Sequence, residues 1–307
     1  MIPNPEIENR FITKETEENM TTLNLTRGDS LWNKAWYKFK HDNMGKIGAS
    51  IVFIYLIIAL GVWFSLWGGA WSDTSDDLWV GPSLQHLFGT NIIGQDVLTR
   101  VIYSTKVAFE VGFSVAIIST VLGAILGSLS GYYSGTWIDS TILWIMGVLD
   151  SIPFYLFVAA VAFALKGNPF AMHIAMIATF WTGTARVIRG EVIKLKGQEF
   201  IEAARSIGVT ENKIIFKHIM PNTSHVLLVQ STIAFVAAIK SEVILSFLGL
   251  GVKDGVSWGL MISESTQDVL AGHFNNFASS SAFLFILVIA FNMFSDAMQD
   301  ALDPKKV

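Results

Sequence analysis

Six long apolar runs, separated by polar segments, set the pattern of this chain. They lie at residues 48–67, 107–129, 138–165, 170–188, 224–248 and 277–296. A helix needs about 20 apolar residues to cross a bilayer, where only an internally hydrogen-bonded backbone is stable. The fourth and fifth runs are less uniform because Arg186 and Lys240 lie near or inside them. The pattern predicts an all-α integral membrane protein with six transmembrane helices.

The distribution of positive charge indicates how these spans are oriented. Lysine and arginine are enriched in the loops that remain in the cytoplasm. Sixteen of the 21 lie in the N-terminal tail, between Arg186 and Lys217, or at the C-terminus, and four lie in the segments on the other side. Both termini are therefore predicted to be cytoplasmic.

The polar segments divide the chain into predicted regions. These are a cytoplasmic tail over 1–47, a transmembrane anchor over 48–67, an outer segment over 68–106, a core domain over 107–296 with a cytoplasmic loop at 190–222, and a cytoplasmic tail over 297–307. The first 30 residues are acidic and poor in aromatics, which is typical of a disordered or loosely attached segment. Because the chain is polar through Lys46, we expect no cleavable signal peptide.

Composition supports a membrane protein and excludes several kinds of chemistry. The chain is 52% hydrophobic and 15% charged, with a mean hydropathy of +0.50, whereas soluble domains carry about 25% charged residues. The net charge of -4 offers no basic field for nucleic acid, and the absence of cysteine excludes a thiolate metal site or nucleophile. There is no phosphate-binding glycine loop, and the six histidines are scattered. We therefore predict no catalytic residue, no metal site and no cofactor bound by this chain.

The cytoplasmic loop at 190–222 is the connection with the clearest helical periodicity. Phe200, Ile201, Ala204 and Ile207 share one helix face, and Gly208 ends that helix. A second helix is predicted to begin at about residue 210 and to end at Pro221. Such a pair could insert into a groove of a soluble protein, or it could rest on lipid headgroups.

The residues of this loop resemble the EAA loop of permeases from binding-protein-dependent ABC importers. The matching residues are Glu202, Ala203, Ala204, Gly208, Met220 and Pro221. Met220 stands where the generic pattern has leucine, and His218 stands where it has isoleucine. His218, Pro221 and Asn222 are similar to the branch of the family that transports peptides and nickel.

Three more stretches resemble that branch, so the similarity covers about residues 84 to 305. HLFGTNIIGQDVLTR precedes the second span, SEVILSFLGLGVKDGVSWG follows the fifth, and AFNMFSDAMQDALDPK lies near the C-terminus. The resemblance implies that the outer stretches face a solute-binding protein. The residues expected there are His86, Gly89, Thr90, Asp96, Arg100 and Trp258.

The resemblance implies a fold, a function and a set of partners. The expected fold is that of a type I ABC importer permease with six transmembrane helices, in the bacterial inner membrane. The expected partners are a second homologous permease, two ATP-binding subunits that use ATP and Mg, and a periplasmic or lipid-anchored solute-binding protein. The cytoplasmic loop would dock on the ATPase, and peptides or peptide-like solutes would cross by alternating access.

Ionisable residues inside spans are costly and indicate function by default. Asp150, Pro153, Lys240 and Glu242 are candidates for the translocation pathway. Members of the family typically carry arginine and aspartate where this chain has a tryptophan at 144 and a glycine at 147, so we interpret Asp150 as a relocated acid. We expect Lys240 to pair with Asp150 or Glu110 around the pore. A salt bridge that only stabilises the fold is the alternative.

Two further alternatives stay open. An ion-coupled secondary transporter would use Glu110, Asp150 and Lys240 as its coupling relay, although no internal repeat is present. A glycine stripe in the second span also has two interpretations, because small residues allow close helix packing either within the subunit or against the partner permease. Its members are Gly123, Gly127, Gly131 and Gly135.

Overall fold

The described part of the chain, residues 31–165 and 167–302 of a computed structural model, is built from helices. They are α1 (Leu31–His41), α2 (Asn43–Trp63), α3 (Val97–Tyr132), α4 (Trp137–Ser151), α5 (Phe154–Ala164), α6 (Ala171–Lys196), α7 (Glu199–Ser206), α8 (Glu211–Lys213), a π-helical turn π1 (Ile214–Ile219), α9 (Met220–Asn222), α10 (Ser224–Phe247), α11 (Trp258–Leu270) and α12 (Asn275–Leu302). Predictions about residues 1–30, Lys166 and residues 303–307 lie outside the described residues.

The described helices bear out the predicted all-α membrane class, but not the count of six spans. Four of them, α2, α3, α10 and α12, are long and apolar enough to cross a membrane, and the bent pair α4 and α5 makes a fifth if it counts as one span. Helix α6 has 26 residues but falls outside this set. The reason is that His173 and Arg186 interrupt its apolar sequence.

The predicted third span is broken at a proline. The axes of α4 and α5 differ by 93°, and the break falls at Ile152 and Pro153. Ile152 has extended backbone angles, φ -91° and ψ 127°, because the ring of a following proline disfavours the helical region. Asp150 therefore lies at the end of α4, two residues before the break.

Helix α3 is the central element of the subunit. Its 36 residues span about 54 Å at 1.5 Å per residue, more than the roughly 30 Å of a hydrocarbon core. Its first ten residues therefore belong to the predicted outer segment 68–106. The aromatic core around Phe109, Phe235 and Phe291 joins α3 to α10 and α12, and Tyr55 of α2 belongs to the same cluster.

The glycine stripe of α3 packs against α6 within the subunit. A Cβ atom at Gly127 would lie 2.6 Å from the backbone oxygen of Ala185, and those at Gly123 and Gly131 would also meet α6. The partner-permease interpretation is therefore wrong for these three glycines. Gly135 is not part of the stripe, because α3 ends at Tyr132.

Helix α2, the predicted anchor over 48–67, packs closely on α12. Cβ atoms at Gly45 and Gly48 would lie 2.4 Å from Ala297 Cβ and 2.6 Å from the backbone oxygen of Ala290. The helix begins earlier than predicted because the side chain of Asp42 accepts a hydrogen bond from the backbone N–H of Met44 and caps it. The anchor is thus an integral part of the helical bundle.

Candidate functional site

The cytoplasmic loop forms a compact unit with one buried and one exposed side. Ile201 and Ala204 of α7 are buried, and Ile201 packs in a cluster with Ile214, Ile215 and Ile219 of π1. The predicted single face is therefore split, because Phe200 and Ile207 of the same set are 44% and 82% exposed. Glu202 and Ala203 are exposed as well, and His218 is partly buried.

Gly208 ends α7 in a left-handed conformation. Its φ is +82°, and the N–H groups of Gly208 and Val209 donate to the carbonyls of Arg205 and Ala204, at 3.0 and 3.1 Å. This double hydrogen bond is a Schellman motif, which satisfies the free carbonyls of a helix end and favours glycine. A Cβ atom at Gly208 would have no neighbour within 4 Å, so the position is open to a partner.

The second helix of the loop does not end at Pro221 as predicted. Helix α8, the π1 turn, α9 and α10 follow one another with only Thr223 between the last two. Pro221 falls in the first turn of α9, directly after π1. The loop is therefore connected to the long span α10 by almost continuous helix.

Tyr132, at the end of α3, attaches the loop to the rest of the subunit, and the sequence reasoning missed it. The Lys196 ammonium donates to the Tyr132 carbonyl at 2.6 Å and lies 5.2 Å from the centre of its ring. Arg205 of α7 donates to the Tyr132 hydroxyl at 3.1 Å. Movement of α7 is thereby linked to α3.

A buried ion pair, also missed from the sequence, joins three helices close to this loop. Arg189 of α6 donates two hydrogen bonds of 2.8 Å to the carboxylate of Asp139, at the start of α4. Ser130 of α3 donates a third, at 2.5 Å. Bidentate arginine–carboxylate pairs fix orientation as well as charge, so the end of α3, the start of α4 and the C-terminal half of α6 are held together.

The ionisable residues predicted to surround a pore do not form the expected pairs. Asp150 pairs with Arg186 and accepts a hydrogen bond from Thr182, both on α6. Glu110 accepts a hydrogen bond from the Trp63 indole at 2.6 Å and lies 3.6 Å from the Lys106 ammonium. The predicted pairing of Lys240 with either acid is therefore wrong, because Asp150 pairs with Arg186 of α6 and Glu110 pairs with Lys106 of its own helix α3.

Glu242 is buried near the C-terminal end of α10. Its carboxylate accepts a hydrogen bond from Ser246, whose hydroxyl lies 3.2 Å from that of Ser257. These contacts hold the connection between α10 and α11 against the end of α10. Glu242 is therefore a structural residue of this connection and has no exposed surface for a pathway.

A groove between α6 and α10 brings together several polar residues of the spans. Its volume is about 260 Å³, and it is lined by Thr179, Phe180, Thr182, Gly183, Thr184, Gln230, Ile233, Ala234 and Ala237. Thr182 joins this groove to the pair of Asp150 and Arg186. Pro153 is not among the lining residues; the break that it causes positions Asp150 at the end of α4.

Most of the residues predicted to face a binding protein are buried instead. Arg100 and Trp258 are 3% and 1% exposed, and Gly89 and Thr90 are buried as well. Arg100 pairs with Glu264 of α11, and the Trp258 indole donates to the carbonyl of Val101 at 3.1 Å. These residues hold the outer layer together, so they are not available for direct contact with another protein.

Glu264 and Asp268 connect the outer segment to α11. Burial raises the pKa of Glu264, and its pairing with Arg100 opposes this only in part. Asp268 accepts hydrogen bonds from the Trp79 indole at 2.7 Å and from Asn276 at 3.1 Å. The outer layer is therefore tied to the bundle by charged hydrogen bonds.

Asp96 caps α3 and also holds His86. Its carboxylate accepts from the backbone N–H of Thr99 at 2.8 Å and lies 2.9 Å from the His86 ring. Although burial acts in the other direction, these hydrogen bonds hold the pKa of Asp96 below its usual value. Both side chains are partly buried, so their role in the subunit is structural.

We expect Asp96→Ala to lower the free energy of unfolding by about 1 to 2 kcal/mol, the usual cost of a lost helix cap. Thermal melting of the detergent-solubilised subunit measures the effect, with Asp73→Ala, which changes an exposed residue of the same outer segment, as the control. Folding lowers the pKa of Asp96, so its ionised carboxylate stabilises the folded state. The difference in stability between the wild type and Asp96→Ala should therefore be complete above about pH 4 and should decline as the pH falls further. Equal melting temperatures for Asp96→Ala and the wild type at pH 7 would contradict this role.

Comparison with known proteins supplies the family. Residues 119–307 match the family described as "Binding-protein-dependent transport system inner membrane component". The dipeptide transport system permease protein DppC of Bacillus subtilis is 31% identical over 303 residues, which are 98% of this chain and 94% of that protein. The glutathione transport system permease protein GsiD of Escherichia coli is 36% identical over 306 residues, with 96% and 99% covered.

A solved structure is similar in fold. It is the methionine ABC transporter MetNI in inward-facing conformations, which aligns with a TM-score of 0.53 and 19% identity. The alignment covers 67% of this chain and 96% of the other. At this identity the similarity describes the fold alone.

Proposed function

This chain belongs to the binding-protein-dependent transport system inner membrane components, and we propose that it forms one half of a translocation pathway for peptides or peptide-like solutes. It is a permease subunit of an ATP-driven ABC importer and a multi-pass protein of the inner membrane. Its relatives are permeases of dipeptide and glutathione systems, and these names support a peptide-like solute here.

The observation that carries the proposal is the exposed apolar side of the cytoplasmic loop. Ile207 is 82% exposed beside the open left-handed turn at Gly208. An isoleucine with so much exposed surface at the end of a helix is suited to a pocket on a soluble partner. The opposite side of α7 is fixed to the subunit through Ile201. The loop therefore offers an ATP-binding subunit an apolar contact on a helix whose other side is packed against the permease.

The same geometry suggests how force reaches the membrane. Helix α7 is joined to α3 through Tyr132, and the loop leads through π1 and α9 into α10. When the ATPases close on nucleotide, displacement of α7 would move α3 and α10 as rigid bodies. Such movement opens and closes a pathway without unfolding any span, as alternating access requires.

The proposed assembly contains a second homologous permease, two ATP-binding subunits and a periplasmic or lipid-anchored solute-binding protein. ATP and Mg act in the ATP-binding subunits, and this chain has no catalytic role of its own. The described residues contain no group of three or more acidic or histidine side chains that could hold a metal ion. Both termini lie in the cytoplasm, in keeping with the positive charge of the loop at 190–222.

An ion-coupled secondary transporter is not supported. Its relay would need Glu110, Asp150 and Lys240 in contact, but the two acids pair elsewhere. Among the described residues Lys240 makes no ion pair with either of them. The family points to the importer instead.

Reconstitution of the complete transporter tests the proposal. Proteoliposomes that contain this subunit, its partner permease and the ATPases should take up radiolabelled Ala-Phe only with ATP and the binding protein. Removal of the ATPases should abolish uptake, and dissipation of a proton gradient should not affect it. Uptake that persists without the ATPases and collapses with the gradient would overturn the proposal.

A further inference from the structure

One exposed face of α10 combines polar and charged residues with apolar ones. Gln230, Ile233, Ala237, Lys240 and Ile244 are spaced at three and four residues, so they lie on the same side of the helix. Lys240 is exposed and is seven residues from the end of α10 at Phe247. At 1.5 Å per residue it lies about 10 Å below the outer end of the span.

No acid of the described residues neutralises Lys240. Asp150 is engaged by Arg186 and Glu110 by Lys106. Glu242 is two positions along the same helix, about 200° away, and its carboxylate is buried against Ser246. Lys240 therefore carries a positive charge that the described part of the subunit leaves without an ion pair.

The surroundings of this face favour an aqueous space over lipid. A lysine in contact with hydrocarbon is costly, and charged residues in spans usually face a cavity or the interior of a bundle. Ala237, one turn below Lys240, lines the α6–α10 groove together with Gln230 and with hydroxyls from Thr179 and Thr182. Lys240 lies one turn beyond Ala237, on the face of α10 that lines this groove.

We propose that Lys240 is a subsite for the carboxylate of the solute as it passes through the permease. This inference rests on the proposed function, because the groove must then face the pathway. A lysine ammonium is a compact charge with three donors on a flexible chain, so it can follow a moving carboxylate without fixed geometry. Arg186 is unsuited to this role because Asp150 already pairs with it.

The test compares a peptide acid with its amide in the reconstituted transporter. ATP-dependent uptake of radiolabelled Ala-Phe and of its C-terminal amide is measured for the wild type, Lys240→Met and Lys240→Arg. We expect Lys240→Met to lower uptake of the acid about tenfold, the scale of one charge-assisted hydrogen bond, and to leave uptake of the amide unchanged. Lys240→Arg should retain most of the uptake of the acid. Lys46→Met, which removes an exposed lysine at the cytoplasmic end of α2, is the matched control.

The outcomes separate the subsite from other roles of Lys240. If Lys240→Met leaves the ratio of acid to amide uptake as it is in the wild type, the subsite is refuted. A parallel fall in the uptake of the acid and of the amide also refutes the subsite. In that case Lys240 pairs with an acid of the partner permease or stabilises the assembly. Absence of ATP-dependent uptake by the wild type would refute the proposed function itself, and the subsite with it.

Discussion

Ile207→Asp should abolish ATP-driven transport while the subunit still folds. Ile207 is 82% exposed, so a carboxylate there is solvated in the free subunit and costs little stability. In the assembled transporter the same carboxylate would be desolvated against the ATPase. Loss of a central apolar contact typically costs about 2 kcal/mol or more, which weakens association about thirtyfold. Co-purification of the ATPase with the tagged permease measures the loss.

Ile201→Asp provides the contrast for this prediction. Ile201 lies in the first turn of α7, whereas Ile207 directly follows its last residue, and Ile201 is fully buried among Ile214, Ile215 and Ile219. The substitution Ile201→Asp should therefore disrupt the loop and lower the melting temperature, whereas the Ile207→Asp subunit should melt at the same temperature as the wild type. Normal ATPase retention by Ile207→Asp would mean that this surface is not the docking site.

Gly127→Leu should prevent the subunit from folding. The new Cβ atom would lie 2.6 Å from the backbone oxygen of Ala185 and 2.9 Å from its Cα atom. Because these are backbone atoms, they cannot rotate away as a side chain could. Overpacking usually lowers the free energy of unfolding by about 1 to 3 kcal/mol, and we expect a clash with backbone atoms at the α3–α6 interface to lower it by more. Yield and elution profile in detergent report the effect.

Gly147→Leu is the matched control for this experiment. Gly147 lies within α4, and a Cβ atom there would meet nothing within 4 Å in the described subunit. Leucine is also a better helix former than glycine, by somewhat less than the roughly 0.8 to 1 kcal/mol that separates glycine from alanine, so Gly147→Leu should fold at least as well as the wild type. A monodisperse Gly127→Leu subunit with unchanged stability would contradict the packing described here.

The spans could be predicted from the sequence because hydrophobic length depends only on local composition. All six apolar runs coincide with helices, and the break at Pro153 follows from the backbone of proline. The number of these helices that are apolar enough to count as membrane spans could not be predicted. Arg186 and His173 lower the apolarity of α6, although α6 packs along α3 through the glycine stripe.

Pairings between helices were not predictable, because they depend on the rotation of each helix about its axis. Asp150 and Lys240 are ionisable residues in two predicted spans, yet Asp150 pairs with Arg186 of α6 and not with Lys240. The pair of Glu110 and Lys106 is of a different kind, because both residues lie on α3 and are four positions apart. Spacing along one helix does not reveal which residue of another helix lies opposite.

Motif similarity also did not separate exposed residues from buried ones. The outer motif residues Thr90, Arg100 and Trp258 are buried, and Arg100 and Trp258 connect α3 to α11. In the cytoplasmic loop, Ile201 and Ile207 were assigned to one face, but only Ile207 is exposed. The difference arises because α7 packs on π1, a contact that requires the tertiary fold.

Photo-crosslinking from position 207 tests the central claim most directly, namely that the cytoplasmic loop docks on an ATPase. The chain contains no cysteine, so Ile207→Cys can carry a single photoactivatable label. Leu270→Cys, at a site with 78% exposure on the predicted outer side, is the control. In the active transporter we predict a covalent product with the ATPase from position 207 and none from position 270. Crosslinking of position 207 only to lipid, with the complex intact, would contradict the account.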